Sequence, residues 1–293
     1  MINDLSLKKV ILVTGANGQV GQEFQKLEKQ YSYFKFLFVS KNELSIADEN
    51  AVNIFFQNNH IDICINCAAY TGVDKAEIEQ EKAIAINATA VGYLASICRK
   101  HNTKFIHIST DYVFDGKGIS PYTEKDQTNT VNFYGQSKLK GEINAVKENA
   151  ESIIIRTAWV YSSFGNNFVK TMIRLMNEKE SISIVSDQYG CPTYAADLAN
   201  AIMQIIVKNN FTAGIYHYSN KGKISWYDFA KEIAKQLNST CTVNKITTEQ
   251  FPTPAARPSY SVLNTEKISS TFNIVIPEWK ESLEKCLTLL KLN

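Results

Sequence analysis

Tyr134 and Lys138 lie four residues apart in the run Asn132-Phe133-Tyr134-Gly135-Gln136-Ser137-Lys138, a spacing that sets both side chains on one flank of a helix. A free phenol titrates at roughly pH 10 and is a weak proton-transfer group at neutrality unless a nearby cation stabilises its anion. Lys138 can supply that charge, and it also has the reach to hydrogen-bond a cofactor ribose. The pair therefore suits protonation of an alkoxide, the step that completes hydride addition to a carbonyl. In isolation, Y-x-x-x-K also fits an exposed pair on a solvated helix, so the reading needs a hydride source nearby. Leu139, Ile143 and Val146 continue the segment as an apolar stripe, which places the Tyr134 and Lys138 flank away from the core. Gly141 falls on that flank, where it would admit another backbone or a ligand at close range.

The hydride source is suggested near the N-terminus. Val10 to Thr14 reads as a strand and is followed by Gly15-Ala16-Asn17-Gly18-Gln19-Val20-Gly21 and an amphipathic helix with Val20, Phe24 and Leu27 on one side. Gly15 permits the sharp turn, Gly18 lets a pyrophosphate approach backbone amides, and Gly21 allows close packing of helix on strand. Unpaired amides and the dipole at the helix N-terminus favour the anion. At the end of the second strand stand Ser40 and Lys41, where an acidic residue would select NAD. A hydroxyl and a lysine suit the 2′-phosphate of NADP, so NADPH is expected, with NADH also admitted, and Asp48 is a candidate adenine contact. The fourth strand runs Phe105 to Ile108 into Ser109 and Thr110. Thr110 is the candidate for holding a substrate carbonyl, with Ser109 the fallback. Asn87 is a polar residue on an apolar helix stripe and needs a partner, either as the cap of a kink or in a proton relay to Lys138.

These residues need a scaffold that gathers strand ends along one edge. Short apolar runs at Val10–Thr14, Phe34–Val39, Ile61–Asn66, Phe105–Ser109 and Ile153–Arg156 alternate with helix-period segments, which predicts a doubly wound parallel α/β sheet of Rossmann type. After Trp159 the alternation loosens into helices at 168–177, 196–207, 226–236 and 279–290 and strands at 181–185 and 214–218, with a proline-rich loop at 251–258. The expected division is a dinucleotide-binding domain over residues 1–160, with 182–210 returning to it, and a smaller α/β substrate lobe over most of 161–293.

A net charge of +2 with interspersed signs leaves no basic patch for nucleic acid. The chain has no stretch near the roughly 20 apolar residues of a membrane span. Met1 to Lys9 carries no apolar leader, which predicts a cytoplasmic protein. Six cysteines are scattered over 293 residues, and the four histidines include no H-x-x-x-H pair, so no metal site is assigned.

Several longer strings go beyond these readings: Asn66-Cys67-Ala68-Ala69-Tyr70-Thr71 with Val73-Asp74-Lys75-Ala76-Glu77, Ser109-Thr110-Asp111-Tyr112-Val113-Phe114, Arg156-Thr157-Ala158-Trp159-Val160-Tyr161, Gly165-Asn166-Asn167-Phe168, Asp187-Gln188-Tyr189-Gly190-Cys191-Pro192-Thr193 and Ala256-Arg257-Pro258. With the glycine turn and Y-x-x-x-K they cover nearly the whole chain, which resembles the extended short-chain dehydrogenase/reductases. Within that family the resemblance implies reduction of the C4 ketone of dTDP-4-dehydro-L-rhamnose to dTDP-L-rhamnose. It implies Tyr134 as proton donor, Lys138 on the ribose and Thr110 on the carbonyl, with Thr110, Asp111 and Trp159 contacting the sugar. It further implies Gly18, Gln19 and Val20 at the pyrophosphate and Ala69, Tyr70 and Thr71 along the rest of the cofactor. Arg257 fits a diphosphate contact, since guanidinium binds phosphate bidentately, or a structural role. Some members hold magnesium between glutamates at a dimer interface. Glu23 matches one such position and Ala196 replaces another, so magnesium stays open and a monomer or homodimer is expected. Two rivals remain: a non-catalytic subunit resembling the β subunit of methionine adenosyltransferase, and a reductase of another nucleotide-linked 4-keto sugar.

Overall fold

The protein is represented by a computed structural model that describes residues 8–291, so most of the segment read as leader-free lies outside the described residues. The five apolar runs form β1 (Val10–Thr14), β2 (Lys35–Val39), β3 (Ile63–Asn66), β4 (Lys104–Thr110) and β5 (Ile153–Thr157), and Gly214–His217 adds a sixth strand. All pair in parallel, in the order β2-β1-β3-β4-β5 and then Gly214–His217. Every residue of β3 and β5 is buried, which explains why these runs are continuously apolar rather than alternating. Chain order reverses between β1 and β3, and the crevice outside strand ends at such a reversal is where open α/β sheets take ligands. The Rossmann-type doubly wound sheet is thus as expected.

On one face, Ile11, Val13, Ile65 and Ile155 pack with Phe24, Ile202, Met203, Ile268 and Phe272. On the other, Leu12, Cys64 and Ile154 pack with Val52, Phe56, Leu94 and Ala145. A separate core unites the helices Phe168–Glu178, Trp226–Leu237 and Trp279–Lys291 with a parallel pair, Ser181–Val185 and Thr242–Ile246. Ser181–Val185 therefore belongs with the smaller lobe, and the segment that returns to the sheet begins at the helix Ala195–Val207, later than residue 182. Periodicity could not separate the two, because both are short apolar segments without a partner named in the sequence. No helix among the described residues is long and apolar enough to cross a membrane.

The helix Phe133–Glu148 starts cleanly because Asn132 Oδ1 accepts from Gly135 N at 2.8 Å. Its orientation corrects the expectation from the apolar stripe. Ile143 and Val146 are exposed, at 58% and 44%, while Gly135, Ser137, Lys138, Gly141, Glu142 and Ala145 face inward. The inward side meets backbone, so it needs small residues rather than large apolar ones: a methyl group at Gly141 would overlap the Asn87 carbonyl oxygen, and one at Gly135 would overlap that of Tyr112. Its polar members are paired, Glu142 with Arg156 at 2.7 Å and with Ser109 Oγ at 2.5 Å.

By intrinsic propensity, Gly141→Ala in a helix interior would stabilise the protein by about 1 kcal/mol. Overlap with the Asn87 carbonyl predicts the reverse, a loss of about 1–3 kcal/mol on urea denaturation; an unchanged or raised midpoint would show that the helix is not seated this closely.

Candidate active site

The turn after β1 is built as the glycines require. Gly15 sits at φ +65°, and a methyl group there would press on the backbone of Cys67 and Ala68 at the exit of β3. One at Gly21 would strike the carbonyl of Gly15, so helix and turn can meet only without a side chain. The helix Gln19–Leu27 begins at Gly18 with no side chain bonded to its first amides. Those free N–H groups open into a cavity of ≈ 890 Å³ that runs along the strand ends. Gly15, Gly18, Gln19, Val20, Gly21, Ser40, Lys41, Ala69 and Thr71 line it at one end, and Thr110, Asp111, Tyr134, Lys138 and Trp159 at the other. Glu43, the one acid beside Ser40 and Lys41, folds back to accept from Ser40 N at 2.8 Å, and that bond holds its carboxyl below the usual range.

Three expected contacts lie elsewhere. Asp48 caps the helix Glu49–Asn58, accepting from Ala51 N at 2.9 Å, and is not part of the cavity wall. The Tyr70 backbone is gripped by Asn87, whose Oδ1 accepts from Tyr70 N at 2.8 Å and whose Nδ2 donates to Tyr70 O at 2.9 Å; its ring meets Lys82 instead of the cavity. Arg257 donates to Asp74 at 2.8 Å and stays outside the lining, tying the 251–258 loop to the segment after β3. Each of these side chains has a local partner that motif spacing does not reveal.

Tyr134 is partly buried in the cavity wall, and desolvation raises its phenol to about 12, with the Thr110 side chain acting in the opposite direction. Burial thus favours the protonated phenol. Thr110 donates to Asp111 Oδ1 at 3.1 Å, and Asp111 Oδ2 is buried without a hydrogen-bond partner. Burial pushes the Asp111 carboxyl up to about 6. Lys138 is 2% exposed; its Nζ donates to Ile108 O at 2.7 Å and lies 3.4 Å from His107 Nε2. Burial lowers this amine to about 8, opposed by Glu142 and then Cys67. The fallback Ser109 is committed to Glu142. Asn87 sits in a π-helical turn, Ala85–Thr89, and besides gripping Tyr70 donates to Ser137 Oγ at 2.9 Å. It staples the sheet exit to the Tyr134 helix, the structural one of its two expected roles.

The family model described as RmlD substrate binding domain matches residues 8–292. The chain belongs to this family. It is 39% identical to a dTDP-4-dehydrorhamnose reductase of Aggregatibacter actinomycetemcomitans over 94% of this chain and 97% of that one. Its fold superposes with a TM-score of 0.92 on a dTDP-4-dehydrorhamnose reductase of Clostridium acetobutylicum, 42% identical over 96% of this chain and 99% of the other. The corresponding enzyme of Bacillus anthracis, solved in complex with NADP, gives 0.93 at 39% identity over 97% and 100%.

For this member of the RmlD family the motif strings acquire physical roles. Glu77 Oε1 accepts from Phe133 N at 2.8 Å and braces the start of the Tyr134 helix. Gly190 in the D-Q-Y-G-C-P-T string leaves room for the Trp159 ring, which a methyl group would strike. Trp159 itself is held at φ +48°, stacked on Trp226 with ring centroids 3.5 Å apart and planes 9° from parallel. Trp226, with Phe168, also lines the cavity, and neither was singled out from the sequence. Trp226 is the first residue of its helix, inside the capping box of Ser225 and Asp228, a motif that marks a helix start and no ligand. His107 and Asn66 were missed as well, although a histidine inside an otherwise apolar strand was a visible signal.

Asp48→Ala should cost about 1 kcal/mol of stability, as a lost helix cap does, and leave the dissociation constant for NADP unchanged by calorimetry. A tenfold weaker constant would return Asp48 to the cofactor.

Proposed function

We propose that this protein reduces the C4 ketone of dTDP-4-dehydro-L-rhamnose to dTDP-L-rhamnose with NADPH, with NADH as a poorer substitute. The observation that carries the reading is the meeting of Tyr134, Thr110 and Asp111 at one end of a cavity whose other end is an uncapped helix N-terminus behind a glycine turn. The relatives named for this reaction, and the one solved with NADP, support it.

The cavity fits a dinucleotide by its own construction: the glycine positions leave backbone amides bare where phosphates would lie, and Ser40 and Lys41 flank the adenosine end with Glu43 turned away. When bound, NADPH supplies the hydride. The Thr110 hydroxyl and Tyr134 phenol line the same end of the cavity and are placed to hold one carbonyl oxygen between them. As charge develops on that oxygen, Tyr134 Oη gives up its proton to it. Lys138 lies beneath the same edge and favours the tyrosinate electrostatically. Asp111 Oδ2, lacking a partner, accepts from a sugar hydroxyl, while the Trp159 and Trp226 rings wall the sugar. Arg257 acts through Asp74 in shaping the rim rather than on the diphosphate.

Glu23 is 2% exposed and accepts from Ser162 Oγ at 2.6 Å, so magnesium has no part in the proposal. The enzyme is taken to act in the cytoplasm as a monomer or homodimer, without nucleic acid.

The decisive assay follows NADPH oxidation with a panel of dTDP-4-keto sugars and identifies the product's stereochemistry. Turnover of another sugar alone would reassign the substrate, and no turnover with any would leave the binding-subunit reading. Tyr134→Phe should bind NADP normally and lose ~100-fold or more in kcat; wild-type turnover would remove Tyr134 from the mechanism.

With its carboxyl at about 6, Asp111 is ionised above that pH and protonated below it. The Michaelis constant for the nucleotide sugar should therefore rise as pH falls through 6, and Asp111→Asn should raise it above pH 6, to about the low-pH value of the wild type, and erase the dependence. A persistent dependence in that variant would assign the titration to another group.

A further inference from the structure

Lys138 rests against a chain of three other buried polar side chains that the proposed reaction does not use. Thr14 Oγ1 donates to Asn66 Oδ1 at 2.6 Å, and Ala68 N donates to the same oxygen at 3.2 Å. Asn66 Nδ2 lies 3.0 Å from His107 Nδ1, and His107 Nε2 lies 3.4 Å from Lys138 Nζ. Thr14, Asn66 and His107 are each 0% exposed.

The direction of this chain follows from one donor that cannot reverse. The Ala68 amide can only donate, and although it also reaches Thr14 Oγ1 at 3.4 Å its shorter contact is with Asn66, so the Asn66 atom facing it is the oxygen and the atom facing His107 is the NH₂ group. His107 Nδ1 must then accept. Burial and, after it, the charge of Lys138 hold the imidazole well below its ordinary titration range, so the ring is neutral and its single proton sits on Nε2. That N–H points at the lysine nitrogen. An amine can accept from it, whereas an ammonium has no lone pair to offer.

We propose that Asn66 fixes His107 as the Nε2–H tautomer, and that His107 thereby acts as a positioning residue for Lys138, presenting it with a donor where a charged lysine would want an acceptor. This rests on the reading of Lys138 as the electrostatic partner of Tyr134. An ammonium at Lys138 gains nothing from His107, and among the described residues its one acceptor in reach is the Ile108 carbonyl, so its other N–H groups are kept for acceptors in the cavity it lines. The other ionisable groups around it are Glu142 on its own helix, Cys67 at the exit of β3 and Tyr134 one turn earlier.

The test begins with the cofactor-free protein labelled with ¹⁵N-histidine. With four histidines, long-range ¹H–¹⁵N spectra of wild type and His107→Gln assign the ring. Expected is a neutral His107 with pyrrole-type Nε2 from pH 6 to pH 9, since burial depresses its titration; a pyrrole-type Nδ1 overturns the proposal even if both Asn66 variants fail to fold. Asn66→Asp keeps an acceptor for Thr14 and Ala68 but demands a proton on Nδ1, turning a lone pair toward Lys138. It should flip the tautomer in the spectrum and move the basic limb of kcat/KM upward by about one pH unit. Asn66→Leu, which adds no charge, should move that limb the same way by a smaller step. A flipped tautomer with an unmoved limb overturns the positioning role, and movement in Asn66→Asp alone marks a plain charge effect and overturns it too. Failure of the Tyr134 and Lys138 reading would show separately, as full turnover of Tyr134→Phe with the histidine spectra unchanged.

Discussion

A lysine 2% exposed between a helix and a parallel sheet is a charge that burial opposes by several kcal/mol unless its surroundings answer it. Much of the site can be understood as that answer. The Ile108 carbonyl takes one N–H bond, Glu142 supplies opposite charge on the same helix, and Arg156 and Ser109 in turn hold Glu142 in place. Because the inward flank of the helix is given over to these groups, the helix must approach so closely that Gly135 and Gly141 meet carbonyl oxygens. Ile143 and Val146, two of the apolar side chains that would have marked a core face, are turned out to solvent.

That inversion shows where sequence reading succeeds and where it stops. The β strands, the glycine turn and the identities of Thr110, Tyr134 and Lys138 were legible because each depends on local chemistry: a continuous apolar run, a turn that excludes Cβ, an i, i+4 pair. The face on which Lys138 lies was not, since the stripe of Leu139, Ile143 and Val146 outweighs two glycines in any periodicity argument. Asp48, Tyr70 and Arg257 carry the right chemistry for a cofactor or phosphate, yet a helix end, an asparagine and an aspartate claim them first. Trp226 and Phe168 enter the cavity from the second lobe, and no spacing within the chain predicts a contact made across two cores.

Particular bonds join the two cores. Gln19, at the first turn of the helix that faces the cavity, donates to Val160 O at 3.4 Å and accepts from Asn167 at 3.0 Å, so the anion-binding end of the sheet and the smaller lobe share a side chain. Trp159 adds a second link. Its left-handed backbone is costly for a bulky residue and persists because the ring is trapped between Trp226 and Gly190.

The sixth strand has a bearing on how the chain is made. β5 contributes three consecutive isoleucines, Ile153 to Ile155, and pairs on its outer side with Gly214–His217, a segment that comes only after the helix Phe168–Glu178, the strand Ser181–Val185 and the helix Ala195–Val207. As the polypeptide leaves the ribosome, the isoleucine-rich border of the sheet therefore stands unpaired until His217 has emerged. An exposed, apolar strand border is a template for joining other chains. The nascent protein thus carries a liability to aggregate while residues 158–217 are being made.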